Sequence, residues 1–576
     1  MNKTPLRFRA LYLIAPDFAQ KQYTKYLRNR ADEEAPIKEE PKMAATGFGN
    51  HGASTTLNSL VGWLAGGGSA EDDADLHGNL LRRRSRDLVY GGGLARSALK
   101  TMNTNVVGWG ILPKPKIDAD LLGLSEEEAE EWERNTMREF RLWAENPMCD
   151  AERSKDFYTM QQLAFLSMLM SGDVFVLFGM KENQRTPYQT TIRLLEADRV
   201  STPNSSDNES EVKELENGGR IVDGVEIDKE GAVVRYHVVN RHPLAENYSG
   251  QAEWVEIDAF GADTGWPNIL HIAVFERPEQ RRGSPFIAPD IENLKQADRY
   301  MKSELAAQVI ASYLTLFIES DDDDGQFPMQ DAVSQEEKVT DDDLHLELGP
   351  GVINQLPPGK KIHEINPIRQ NTAFEANVST YQTHIGASMG IPKEVLIKKY
   401  DSNYTAARSS KLDFDKEVKV YRTRFNNTFN QPIYEMWLAE AVATGRIQAP
   451  GFFDDPIVRN AWCGCMWIGT SMGHVDPLKE VSAAAQRILL NISTEEQEAS
   501  EYNGNDWQAN VRQRKKELHA FDDEQTGQQT DGDAGEEEPK KKDDGKPGMS
   551  TSERFAFIRD ILKYSAEITK GDDEYA

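Results

Sequence analysis

Apolar positions at helical spacing organise the second half of this chain. Ile291, Leu294, Ala297, Met301, Leu305 and Val309 recur every three or four residues behind Pro285 and Pro289, which predicts a helix with one apolar stripe. Phe374, Val378, Tyr381, Ile385 and Met389 mark a second helix, stopped by Gly390 and Pro392. A longer pattern follows through Val418, Tyr421, Phe425 and Phe429, and Pro432 predicts a kink in it. Helical patterning returns over residues 476–518.

The first half mixes periods. Residues 76–110 read as two helices broken by Gly91-Gly92-Gly93, and Phe157–Ser171 as another helix that runs into a buried strand at 174–178. From there to about residue 275, short runs such as TTIRLL, GAVVRYHVV, EWVEI and ILHIAVF alternate with turn residues, which predicts an antiparallel β region. Between the two apolar stripes lies a loop-and-strand stretch with acidic runs, ending in HLELGPGVINQL. The expected class is therefore α+β. Two segments lack apolar periodicity. Residues 30–75 read as an extended arm, and 522–549 as a polar linker to a last helix carrying Phe555, Ile558 and Leu562 on one side.

A chain of 576 residues exceeds one hydrophobic core and predicts about three to five substructures. Its net charge of −29 opposes simple phosphate neutralisation and argues against a sequence-reading DNA binder. Three cysteines give no disulfide framework, and Cys463 and Cys465 lie too close together for a zinc knuckle. No metal or other cofactor is expected. No run reaches the roughly 18 apolar residues of a membrane span, and the N-terminal apolar run is too short for a secretory signal. The expectation is a product of the cytoplasm that assembles into something larger, with no membrane contact.

Motifs for chemistry fail on context. GFGNHG at 47–52 has no strand before it. No phosphate-binding G-x-x-x-x-G-K-[ST] loop occurs. SDDDDG carries Ser320 where a calcium loop wants Asp. GTSMG at 469–473 has the spacing of a nucleophile elbow, with Ser471 as nucleophile and Asp506 and His519 in order after it. Too little chain follows to complete a hydrolase sheet. The reading is that the chain is not an enzyme, with a Ser471 hydrolase as a weak alternative.

A series of segments in fixed order carries a stronger signal: LRRRSRDL (81–88), NVVGWGI (105–111), SGDVFV (171–176), IVDGVEIDKEGAVVRYHV (221–238), HIAVFERPEQRRGSPFIAPDIENL (271–294), DSNYTAARSSKLDF (401–414) and HVDPLKEVSAAAQRI (474–488). In that order the chain resembles phage portal proteins of the lambda type, from about Leu80 to Phe521. The resemblance implies a portal fold: a mixed α/β wing at 76–284, stem helices at 285–315 and 367–390, and a small α/β clip at 316–366 between them. It further implies a channel loop at 391–405, a long kinked helix and crown at 406–521, and, outside the signature, an N-terminal arm (1–75), a linker (522–549) and a C-terminal helix (550–576). The stem would be lined and packed by Ile291, Leu294, Met301, Leu305, Phe374, Val378, Tyr381 and Ile385. Lys393, Lys398, Lys399, Tyr400 and Asn403, the densest basic cluster of the region, would touch passing DNA. The implied role is a ring of about twelve copies at one vertex of a virion. That ring would nucleate the head and conduct double-stranded DNA without reading it. Its implied partners are terminase, head-completion or adaptor proteins, and the major capsid and scaffolding proteins. A non-portal capsid or tail-adaptor protein is the alternative.

Overall fold

The computed structural model describes residues 67–71, 77–203, 212–245, 252–262, 264–312, 316–318, 353–355, 373–400, 404–470, 477–503 and 507–527. The chain divides into two units, Met1–Ser69 and Ala70–Ala576, and every element below belongs to the second. The GFGNHG match, the acidic runs between the two apolar helices, Ser471, Asp506 and the last helix lie outside the described residues.

Gly92 adopts extended backbone between α1 (Gly78–Gly91) and α2 (Gly93–Val106), so the glycine triplet breaks the helix as its sequence predicts. After β1 (Leu112–Pro115) and a short α3 (Ala119–Leu122) comes α4 (Glu126–Ala144). Ser125 and Glu128 close a capping box at its start, satisfying two otherwise orphaned donors. Helix α5 (Phe157–Ser171) leads into β2 (Asp173–Met180), followed by β3 (Thr190–Glu196). Strands β4 (Val212–Glu214), β5 (Arg220–Val222), β6 (Val225–Ile227), β7 (Val233–Val239) and β8 (Trp254–Asp258) form one antiparallel meander in chain order. Strand β9 (Ile269–Ala273) pairs with β2, so β3-β2-β9 make a second, three-stranded sheet. A small core joins the two sheets, with Phe175, Ile269, Val225 and Tyr236 among its members.

Helix α6 (Ile291–Ser312) follows, and two short strands, β10 (Leu316–Ile318) and β11 (Ile353–Gln355), pair in parallel. Then come α7 (Phe374–Ser388), α8 (Lys393–Ile397) and α9 (Tyr404–Phe425). Helix α9 continues through one π-helical turn, Asn426–Asn430, into α10 (Gln431–Ala443). Pro432 was expected to bend this helix. The irregularity lies at the turn just before the proline, where the missing N–H and ring crowding leave carbonyls free of their usual partners. After α11 (Pro456–Trp462), strand β12 (Cys465–Ile468) pairs with β1. Helices α12 (Pro477–Leu489), α13 (Glu495–Asn503) and α14 (Trp507–Gly527) end the described chain.

The main core is aromatic. Phe140 of α4 meets Trp437 of α10 edge-on at 4.9 Å, and Phe425 stacks on Phe429 across the π turn at 4.9 Å. Inside it Gln161 holds both Ile111 N and O and donates to Asn430 Oδ1 at 2.9 Å. The whole is a mixed helix-and-sheet fold of the expected α+β class.

Candidate functional site

Four of the signature segments, 81–88, 171–176, 221–238 and 271–294, meet in one buried charge network. The β5–β6 hairpin turns on Asp223-Gly224, both at positive φ, as a tight two-residue turn requires. A Cβ on Gly224 would stand 2.4 Å from Ser201 N, so the tip lies against the chain after β3. Asp223 there accepts from Arg82 of α1 at 3.0 Å and pairs with Arg282 at 3.0 Å. Arg282 also grips Asp173, at the head of β2, through Nε at 2.6 Å and Nη2 at 3.2 Å. Its remaining hydrogens go to Val200 O, Asp223 O and Ala197 O. Asp198 pairs with Arg82 at 3.7 Å and with Arg86.

Burial disfavours the Asp173 carboxylate, but the Arg282 guanidinium and the His271 hydrogen bond outweigh it and hold the carboxyl well below its ordinary range. Burial likewise opposes Asp198, and Arg82 and Arg86 prevail. For His271 burial wins over Asp173 and lowers its pKa. Gly172 and Gly283 close the site: a Cβ on Gly283 would lie 2.0 Å from Gly172 O. Each of these arginines and aspartates faces an opposite charge inside the protein, although Arg82 Nε and Nη1 and Arg86 Nε lack a hydrogen-bond acceptor, and the cluster acts as a structural clasp.

A second clasp engages NVVGWGI and the first two residues of GTSMG, Gly469 and Thr470. Arg422 of α9 donates to Val106 O at 2.9 Å and Asn105 O at 2.7 Å, capping the end of α2, and to Thr470 O at 2.8 Å. A Cβ on Gly469 would stand 2.3 Å from Arg422 Nε. Among the described residues the strand before Gly469 pairs with β1 alone, in a two-stranded antiparallel ribbon and not the larger sheet on which a nucleophile elbow sits. Burial raises the Cys463 thiol to about 12, and Cys149 and Cys465 are raised as well. The described residues contain no His, Cys, Asp and Glu group that could hold a metal, and no helix long and apolar enough to cross a membrane.

The predicted stem residues divide into two sets. Leu294 and Ile385 are buried, and Ile291, Phe374 and Val378 are half-buried where α6 and α7 leave the core. Tyr300 and Phe374 rings pack at 5.5 Å between the two helices. Met301, Leu305 and Tyr381 are exposed at 41%, 61% and 44%, and Val309 joins them at 43%. A row of large apolar side chains presented to water is the mark of a contact surface.

The expected channel loop is partly helical. Residues Lys393–Ile397 form α8, capped by Lys398 in the left-handed region. The short apolar run Val395-Leu396-Ile397 causes this: Leu396 is buried, and its carbonyl accepts from Ser97 of α2 at 2.7 Å. Lys393 folds inward and donates to Ser379 of α7, apart from the other lysines. Lys398, Lys399 and Tyr400 are exposed, Lys399 at 4.0 Å from Glu375, and Asn403 lies outside the described residues. The sequence missed the Asp173–Arg282 clasp as a unit, although spaced Asp and Arg in apolar company were its visible signal.

The chain belongs to the lambda family of phage portal proteins, whose family model matches residues 56–422. Portal protein B of Escherichia phage lambda is 24% identical over 493 residues, covering 79% of this chain and 89% of that protein. The portal protein of Escherichia phage N15 is 24% identical over 491 residues with the same coverage. The probable portal protein of Halomonas phage phiHAP-1 is 23% identical, covering 78% and 82%. Among solved structures, a chain in the neck of an empty GTA particle, computed with C6 symmetry, is 14% identical at a TM-score of 0.36, covering 66% of this chain and 93% of that one.

Proposed function

We propose that this portal-family chain forms a closed ring of about twelve copies at one vertex of the virion. The ring would be assembled in the host cytoplasm, nucleate the head, dock terminase, conduct double-stranded DNA inward and outward, and then bind head-completion and tail proteins. In this reading 76–284 is the wing, α6 and α7 form the stem, 316–366 is the clip, 391–405 the channel loop, and 406–521 the long helix and crown.

The observation that carries the reading is the exposed apolar row Met301, Leu305, Val309 and Tyr381 on a protein of this family. Beside it a groove of about 280 Å³, lined by Leu94, Met301, Val378 and Ile397, can receive a neighbouring stem. A head-to-tail contact between such faces closes into a ring. DNA conduction fits a mostly acidic chain with two exposed lysines, Lys398 and Lys399, at one loop, because a point charge touches phosphate without reading bases. Clasps filled by their own side chains support a structural role and not catalysis.

Negative-stain imaging and mass measurement of the purified chain test this. Rings with a central hole at roughly 0.8 MDa, for twelve chains of 64.8 kDa, are expected. A stable monomer at assembly concentrations would overturn the reading.

A further inference from the structure

Away from the stem, a second surface among the described residues sets arginines around an apolar floor. Between α4, the β1–β12 ribbon and the start of α14 lies a cleft of about 500 Å³. Arg134, Arg138 and Arg141 of α4 and Arg512 of α14 line it, and all four are exposed. The α4 arginines fall at spacings of four and three, so they share one face over about 10 Å of helix. Among the described residues neither Arg134 nor Arg141 has an ion-pair partner. The helix dipole accounts for a cation in the last turn, which is Arg141, and for neither of the others. The acid lining the cleft, Glu133, is turned to Ile117 N at 3.0 Å. The floor is apolar, with Pro113 and Ile468 buried and Met137 half-buried.

An arginine rim over an apolar floor selects a peptide that is both acidic and apolar. Phosphate backbone would use the rim and leave the floor unmatched. The chain itself carries such a peptide. Asp572-Asp573-Glu574 is followed by Tyr575. Beyond α14 the other acidic run, Glu536–Glu538, has no apolar neighbour and is followed by Lys540, Lys541 and Lys542, which the arginines would repel. Reach is sufficient. From Arg512 to Gly527, α14 carries the chain about 22 Å from the cleft. Residues 528–549, read from composition as a polar linker, span about 25 Å, and the helix expected from residue 550 carries the chain about 30 Å further.

We propose that residues Asp572–Tyr575 seat in this cleft of their own chain, with the carboxylates on Arg134, Arg138 and Arg141 and the Tyr575 ring over Met137 and Ile468. The contact tethers the C-terminal region beside α4, independently of ring closure. Placing p-benzoylphenylalanine at Tyr575 in the full-length chain and mapping its photo-crosslinks tests this. Crosslinks to 112–115, 134–141 or 508–512 are expected, falling at least about fivefold between low and about 0.5 M salt. The Arg134→Glu, Arg138→Glu, Arg141→Glu variant should lose them with an unchanged melting curve, and the corresponding Lys variant should keep them. Crosslinks mapped elsewhere, or unchanged in the Glu variant, would overturn the assignment. So would a duplex DNA probe that binds through these arginines while Tyr575 crosslinks elsewhere, which would give the cleft to phosphate.

Discussion

At the scale of residues, the Asp173–Arg282–Asp223 clasp decides more than any exposed group. Removing one partner leaves a buried charge unpaired, which costs about 3–5 kcal/mol. Asp173→Ala should lower stability by that amount in denaturant titration, while exposed changes such as Lys302→Ala stay within about 0.5 kcal/mol. Acid should act on the same cluster in two windows. The folded pKa of Asp173 lies below its ordinary 3.8, so its contribution is complete above that value and is lost as the pH falls below it. His271 also has a depressed folded pKa, so the unfolded chain takes up its proton first and stability already declines as the pH drops through about 6.5. His271→Asn should flatten the decline between about pH 7 and 5 in thermal melts and leave the steeper one below pH 4. An unchanged slope at pH 5–7 would remove His271 from the account.

At the scale of elements, legibility followed period and punctuation. The helix at 157–171, the strand after it and the glycine break at 91–93 were readable because periodicity and glycine act locally. What joins elements was not. That Arg82, Asp173, Asp223 and Arg282 share one site depends on pairing across about 200 residues, and no local pattern encodes it. Likewise GTSMG has the right letters for a nucleophile, and only the Arg422 contact shows why Gly469 stands there. The loop at 391–405 shows the cost of reading charge before hydrophobicity. Its lysines are the conspicuous feature of the sequence, while the buried Leu396 organises the segment into α8. The consequence is testable. Lys393 is engaged with Ser379, so the Lys398→Ala, Lys399→Ala pair should impair retention of nearly full-length DNA in heads as much as the triple change that includes Lys393→Ala. Packaging assays that measure retained genome length would decide. Full retention in the double variant would discard contact between this loop and DNA.

At the scale of the whole molecule, the family resemblance in the sequence and the exposed face in the structure point to the same assembly for different reasons. Order of motifs gives membership, and membership alone gives no interface. The interface argument comes from α6, whose apolar stripe is continuous in sequence while only its first turns are covered by the chain itself, with Leu294 buried and Leu305 61% exposed. Covering Met301, Leu305, Val309 and Tyr381 contributes roughly 4–8 kcal/mol per contact, against an association cost of about 4–15 kcal/mol. Two carboxylates placed in that row should therefore prevent closure. Met301→Glu with Leu305→Glu is expected to leave the monomer's melting temperature within about 2 °C, because both side chains already meet water in the isolated chain. It should abolish the roughly 0.8 MDa species in mass measurement and the rings in imaging. Rings that persist in this variant would show that the stem is held by other faces, and an unfolded monomer would show that the row belongs to the chain's own core.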